Sequence, residues 1–165
     1  LAALALGHAV GLPFAPMLEA LKQFGGLEHR CQWVGELRGT SYYNDSKATN
    51  LHALEACLRS QERPIVLIAG GKDKQLDYSP LRAELKGQVR AMVFIGEIAQ
   101  QLEQTFGDLL PCQRGADMAE AVSLATRLSQ PGDAVILSPG TSSFDMYTGY
   151  GQRGDVFRDA VNALN

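Results

Sequence analysis

Little in this chain points to a metal centre or a covalent nucleophile. Its three cysteines, Cys31, Cys57 and Cys112, lie far apart and form no C-x-x-C pair, the usual sign of a zinc ribbon or a dithiol motif. They are expected to be reduced thiols used as small apolar residues. The histidines, His8, His29 and His52, are equally scattered, so zinc-ligand spacing is absent and no metal ligand is assigned. A basic surplus is missing too. The formal net charge of -3 argues against nucleic acid, whose binders carry Lys and Arg on one face. No apolar run approaches the roughly 20 residues that span a bilayer, so no membrane partner is expected. The P-loop pattern G-x-x-x-x-G-K-[ST] and the elbow G-x-S-x-G do not occur. Gly149-Tyr150-Gly151-Gln152-Arg153-Gly154 does match G-x-G-x-x-G, but a long loop separates it from its strand and the chain ends before the acidic residue a dinucleotide site needs. The opening LAALALGHAV has neither Met nor a basic leader. It reads as a helix entered midway, so the chain is expected to be a piece of a longer protein.

What remains is ordinary in bulk and specific in its loops. At 165 residues, 45% hydrophobic and 20% charged, the chain has length for one domain, or one domain and part of another. Two helices are expected over 1–10 and 13–24, broken by Gly11 and Pro13 and stopped by Gly25-Gly26. CQWVGEL and TSYYND read as a hairpin turning at Arg38-Gly39. Helices (51–59, 79–85, 97–106, 116–128, 153–164) then alternate with strands (65–70, 89–96, a short piece near Cys112, 133–139). Strands that are near-continuous apolar runs imply a mostly parallel α/β sheet covered on both faces.

Ligands of such sheets sit at the carboxyl ends of the strands. The loops there, 44–50, 70–77 and 138–151, are all polar and are expected to converge. In NDSKATN, Thr49 or Asn50 suits an N-cap, but Lys47 is out of place near the positive end of a helix unless an anion joins it. Asp45 could take a ribose hydroxyl or orient a cation. In AGGKDK, Gly70 and Gly71 allow close backbone approach and Lys72 and Lys74 add charge. The last loop offers Thr141, Ser142 and Ser143, with Phe144, Tyr147 and Tyr150 as walls. Such residues suit the binding of carboxylates and phosphates better than covalent chemistry.

Three stretches, HRCQWVGELRGTSYYNDSKATN (29–50), LIAGGKDKQLDYSPL (67–81) and LSPGTSSFDMYTGYGQRGDVF (137–157), resemble the Mur ligases in family order. NDSKATN points to the branch that adds D-glutamate to UDP-N-acetylmuramoyl-L-alanine. The resemblance implies a Rossmann-like C-terminal Mur ligase domain over 27–165, with 1–26 as the helical end of a central ATPase domain and a hinge near Gly25-Gly26. It further implies a cytoplasmic, monomeric ATP-dependent ligase of peptidoglycan synthesis. That enzyme would form an acyl phosphate that the D-glutamate amine attacks, with Mg2+ held mainly by the central domain; this piece alone would be inactive. Carried onto this sequence, Arg30 and Asp45 would contact ATP. Lys47, Thr49 and Lys74 would surround D-glutamate, with Lys47 the catalytic candidate. Ser142 or Ser143, Phe144 and Tyr150 would line the substrate. GTSSF departs from the common A-C-A-S-[LF] segment, which leaves both serines open, and Lys72 is an extra lysine. A folylpolyglutamate synthase-like ligase and a non-catalytic nucleotide-binding domain are the alternatives.

Overall fold

A computed structural model describes residues 2–164. The chain forms α1 (Ala2–Ala9), α2 (Phe14–Gln23), β1 (Gln32–Leu37), β2 (Thr40–Asn44), α3 (Leu51–Arg59), β3 (Ile65–Gly70), α4 (Leu81–Leu85), β4 (Val89–Ile95), α5 (Ala99–Phe106), β5 (Cys112–Arg114), α6 (Met118–Leu128), β6 (Ala134–Leu137) and α7 (Tyr150–Asn162). Leu1 and Asn165, the outer residues of the two expected domains, lie outside the described residues.

One six-stranded sheet runs β1-β2-β6-β3-β4-β5. The β1–β2 hairpin is antiparallel, and every other pairing is parallel. Arg38 and Gly39 both take positive φ, the backbone a tight hairpin turn needs to match strand twist. The central strands IVLIAG and AVIL are buried throughout because each face meets helices. Alternation divides them: Ile65 and Leu67 join Phe94 and Ile136 in one core with Leu54, Leu58 and Phe106, while Val66 and Ile68 join Val93 and Val135 in the other with Val122, Phe157 and Val161. Thus α3, α4 and α5 cover one face and α6 and α7 the other.

Of the two expected caps, Thr49 and Asn50, the second is used. Asn50 accepts from the Ala53 N–H at the start of α3. At α6, Asp117 accepts from Glu120 N–H while Glu120 accepts from Ala116 N–H, one residue before the cap, a variant of the capping box. The expected start of the last helix at Arg153 is corrected to Tyr150. Gly149 is extended, and Gln152 Oε1 accepts from the Thr148 N–H at 2.7 Å, so the first turn is closed three residues earlier than expected. Gly154 sits inside the helix because a Cβ there would strike the His29 ring. The strand expected over 133–139 is regular only over Ala134–Leu137, since Ser138 turns its side chain into the loop beside it.

The N-terminal helices differ in texture. They pack on each other, yet α2 buries no residue, and Leu6, Val10, Leu12, Phe14, Leu21 and Phe24 are all exposed.

Candidate functional site

The polar loops expected to converge do so. They leave β2, β6 and β3, which are adjacent in the sheet, and the backbone stitches them together. Asp45 N–H donates to Leu137 O, Gly140 N–H to Ala48 O, Gly70 N–H to Pro139 O and Lys72 N–H to Ser142 O. Thr141 Oγ1 adds a bond to Lys72 O at 2.7 Å. Such approach needs Gly71, whose φ is 140° and where a Cβ would collide with the Ser142 carbonyl oxygen.

Arg153 anchors the same junction from α7. Its guanidinium is 0% exposed and donates through Nε to Ser46 Oγ at 3.0 Å, and through one terminal nitrogen to Ser46 O at 2.9 Å and Thr141 O at 3.1 Å. The other terminal nitrogen has no partner. Among the described residues no carboxylate forms an ion pair with it, and burial pulls its pKa down to about 10 against the weaker opposing pull of Asp145. Ser46 Oγ donates in turn to Tyr150 O. No site role is expected of Arg153 from the sequence, yet its spacing of four from Phe157 and eight from Val161, both buried, is the signal that it faces inward.

Each expected site residue can now be placed. Asp45 is buried, with Oδ1 accepting from Cys31 N–H at 3.1 Å and Oδ2 from Ser138 Oγ at 2.8 Å; desolvation raises its pKa. Lys47 stands with Nζ 3.6 Å from the centroid of the Tyr150 ring, a cation–π contact. The same ring meets His29 edge-on. Lys74 Nζ donates to Thr49 O at 3.1 Å, linking two loops. Lys72 is neutralised by Glu97 at 2.7 Å, whereas among the described residues neither Lys47 nor Lys74 forms an ion pair. Ser143 is 2% exposed and Phe144 is 70% exposed, while Ser142 is half-buried. Tyr150 belongs to the first turn of α7, not to the loop. Arg30 is exposed.

Two cavities open on this edge. One of about 330 Å³ is bounded by Arg30, Cys31, Asp45, Lys47, Cys57 and Ser60, and one of about 400 Å³ by Leu27, Glu28, Arg30, Lys47 and Tyr150. Both carry Arg30 and Lys47, so their cations suit an anionic ligand. A larger cavity of about 840 Å³ beyond β4 and β5 is lined by Glu97, Glu103, Glu120 and Asp145, with Arg114 paired to Glu103. That lining repels anions. The cysteines are free, as expected, but Cys31 and Cys57, distant in sequence, meet in the fold, and with Asp45 they bring ligand atoms within 4.8 Å of one another. Magnesium, which prefers oxygens and near-octahedral geometry, does not fit two thiols and one carboxylate.

Among the described residues, no helix is long and apolar enough to cross a membrane. The family described as Mur ligase, glutamate ligase domain, matches residues 29–141. The chain is 50% identical over 169 residues to a UDP-N-acetylmuramoylalanine–D-glutamate ligase of Pseudomonas syringae, covering 100% of this chain and 38% of that protein. It is 48% identical over 168 residues to the enzyme of the same name from Pseudomonas putida, covering 99% and 37%. The chain therefore spans well under half the length of these curated relatives. In fold it is similar to the crystal structure of a UDP-N-acetylmuramate-alanine ligase from Thermotoga maritima, with a TM-score of 0.67 at 13% identity over 98% of this chain and 36% of that one.

Proposed function

Because the chain belongs to the Mur ligase family, we propose that it is the C-terminal domain of a cytoplasmic, monomeric ATP-dependent ligase that adds D-glutamate to UDP-N-acetylmuramoyl-L-alanine. The observation that carries this reading is the pair of unneutralised lysines. Lys74 on one loop bonds Thr49 on another, Lys47 lies on the same edge, and among the described residues no carboxylate pairs with either lysine. Two ammonium groups at the mouth of a parallel sheet make half of a receptor for a small dicarboxylate.

In this reading Lys74 and Lys47 hold the D-glutamate carboxylates, and Thr49 fixes the position of Lys74 through its carbonyl. Tyr150 keeps the Lys47 ammonium from swinging into solvent. Ser142, the more accessible of the two hydroxyls, makes the substrate contact, and Phe144 walls it. Arg30 faces the nucleotide phosphates. Asp45, already holding Cys31 and Ser138, shapes the nucleotide cavity from within. ATP supplies the phosphoryl group that activates the acceptor carboxyl, and the domain's share is to hold the amine in line with that carbon. Residues 1–26 read as the helical end of the preceding ATPase domain, whose surface would cover the apolar faces of α1 and α2. Mg2+ would be held there.

Phosphate release by the full-length protein, assayed with a panel of D- and L-amino acids, is expected to require D-glutamate. Lys74→Ala should raise KM for D-glutamate on the order of tenfold, the cost of one charge-assisted contact, and Lys47→Ala should lower kcat. Unchanged kinetics in both variants would sink the assignment.

A further inference from the structure

Two thiols 26 positions apart in sequence come into contact on the wall of the smaller cavity. Cys31 Sγ lies 3.5 Å from Cys57 Sγ. Cys31 is exposed and sits just before β1 with a φ of 43°, a left-handed conformation that costs a non-glycine residue energy. Its N–H bond to Asp45 holds it there. Cys57 is buried, in the second half of α3, and its place is set by the packing of that helix on β3. Neither sulfur is free to wander, and the cavity bounded by Arg30, Lys47 and Ser60 admits a small solute to both.

We propose that Cys31 and Cys57 form a redox-modifiable pair, in which a peroxide-class oxidant converts Cys31 to a sulfenic acid that Cys57 then closes to a disulfide. In the first step the Cys31 sulfur attacks a peroxide oxygen and the O–O bond breaks. The sulfur loses two electrons, the peroxide gains them, and the departing hydroxide leaves as water with the thiol proton. In the second step the Cys57 sulfur attacks the Cys31 sulfur and the S–O bond breaks. The oxygen departs as water with the Cys57 proton. The sum is two thiols and one hydrogen peroxide giving one disulfide and two waters.

The electrostatics favour this order of events. The neighbouring Cys57 thiol holds the Cys31 pKa below the usual range, while the same contact and burial push Cys57 up. An accessible, more acidic thiol beside a resolving partner is the pattern of peroxide-sensitive cysteines. Cys112 is an internal control: burial pushes it up to about 11, and it lies on β5, away from both. A metal is the competing occupant, but the Asp45 carboxylate already accepts from Cys31 N–H and Ser138 Oγ, and a third ligand would have to share it. The thiol pair stands whether or not the domain handles D-glutamate, because its chemistry needs only the two sulfurs and the oxidant.

The 165-residue chain should be treated with hydrogen peroxide, alkylated, digested and mapped by mass spectrometry, with dithiothreitol reversal and a urea-unfolded control. Alkylatable thiols are expected to fall from three to one, with Cys112 still labelled and a Cys31–Cys57 cross-linked peptide that dithiothreitol releases. Selectivity over Cys112 should disappear in urea. In Cys57→Ser, Cys31 should accumulate a sulfenic acid that a 1,3-dione reagent traps; in Cys31→Ser, Cys57 should stay reduced. Cys31 passing to sulfinic acid while Cys57 stays alkylatable would overturn the proposal. So would equal oxidation of Cys112, or stoichiometric zinc retained through gel filtration with both thiols protected.

Discussion

The two ends of this chain depart from ordinary burial in opposite senses. Around the carboxyl ends of β2, β3 and β6, polar groups are inside: Asn44, Asp45, Ser46, Ser138, Thr141 and Arg153 are all buried, and bonds between loops satisfy nearly all of them. Along α1 and α2 large apolar side chains are outside, with Phe24 60% exposed. A buried polar network costs free energy unless complete, so where one is kept it specifies a geometry. An exposed apolar face costs solubility and adds nothing to packing within the chain. The first region is therefore held by its own internal bonds and the second is an exposed apolar face, and substitutions should affect them very differently.

The largest effect is expected at Arg153. Arg153→Met keeps much of the volume but strands the Ser46 and Thr141 carbonyls, each stranded group costing about 1–3 kcal/mol. Denaturant unfolding should show a loss on the order of 3 kcal/mol. A loss near zero would mean the loops hold together without it, which would undo the contrast. Gly71→Ala tests the same junction through the backbone. The added Cβ meets the Ser142 carbonyl and φ is 140°, so a loss of about 2 kcal/mol is expected in the same assay. At the other end, Phe24→Ser should change stability by less than about 0.5 kcal/mol while reducing the binding of a hydrophobic dye. A loss as large as that of Gly71→Ala would show that the helical face is already packed.

Much of the sheet was legible because its strands are buried on both sides. IVLIAG and AVIL have no polar residue to misplace, and the helix after Asn50 runs from Leu51 to Arg59 as expected. The convergence of the loops followed from topology, since parallel strands must deliver their carboxyl ends to one edge. What escaped was decided by tertiary contact. Arg153 escaped because periodicity was read from apolar residues alone, and the inward face of α7 includes a guanidinium. The α7 start escaped because its first turn is closed by Gln152 accepting from the Thr148 N–H, and Gly154 inside the helix is small to make room for His29. The contact of Cys31 with Cys57 escaped because no local pattern joins a pre-strand turn to the far half of a helix.

The place of β6 has a consequence for how the protein is made. Among the described residues it is the last strand in sequence order, yet it lies between β2 and β3, the two strands that carry the lysine loops. Until residues 134–137 emerge from the ribosome, the β1–β2 hairpin and the β3–β4–β5 unit each present an open edge with nothing to join them. Closing the sheet is then a long-range event, late and slow compared with helix formation. A chain stalled before Ala134 exposes two unpaired apolar edges at once, so the step that assembles the lysines is also the step that removes the greatest hazard of aggregation during synthesis.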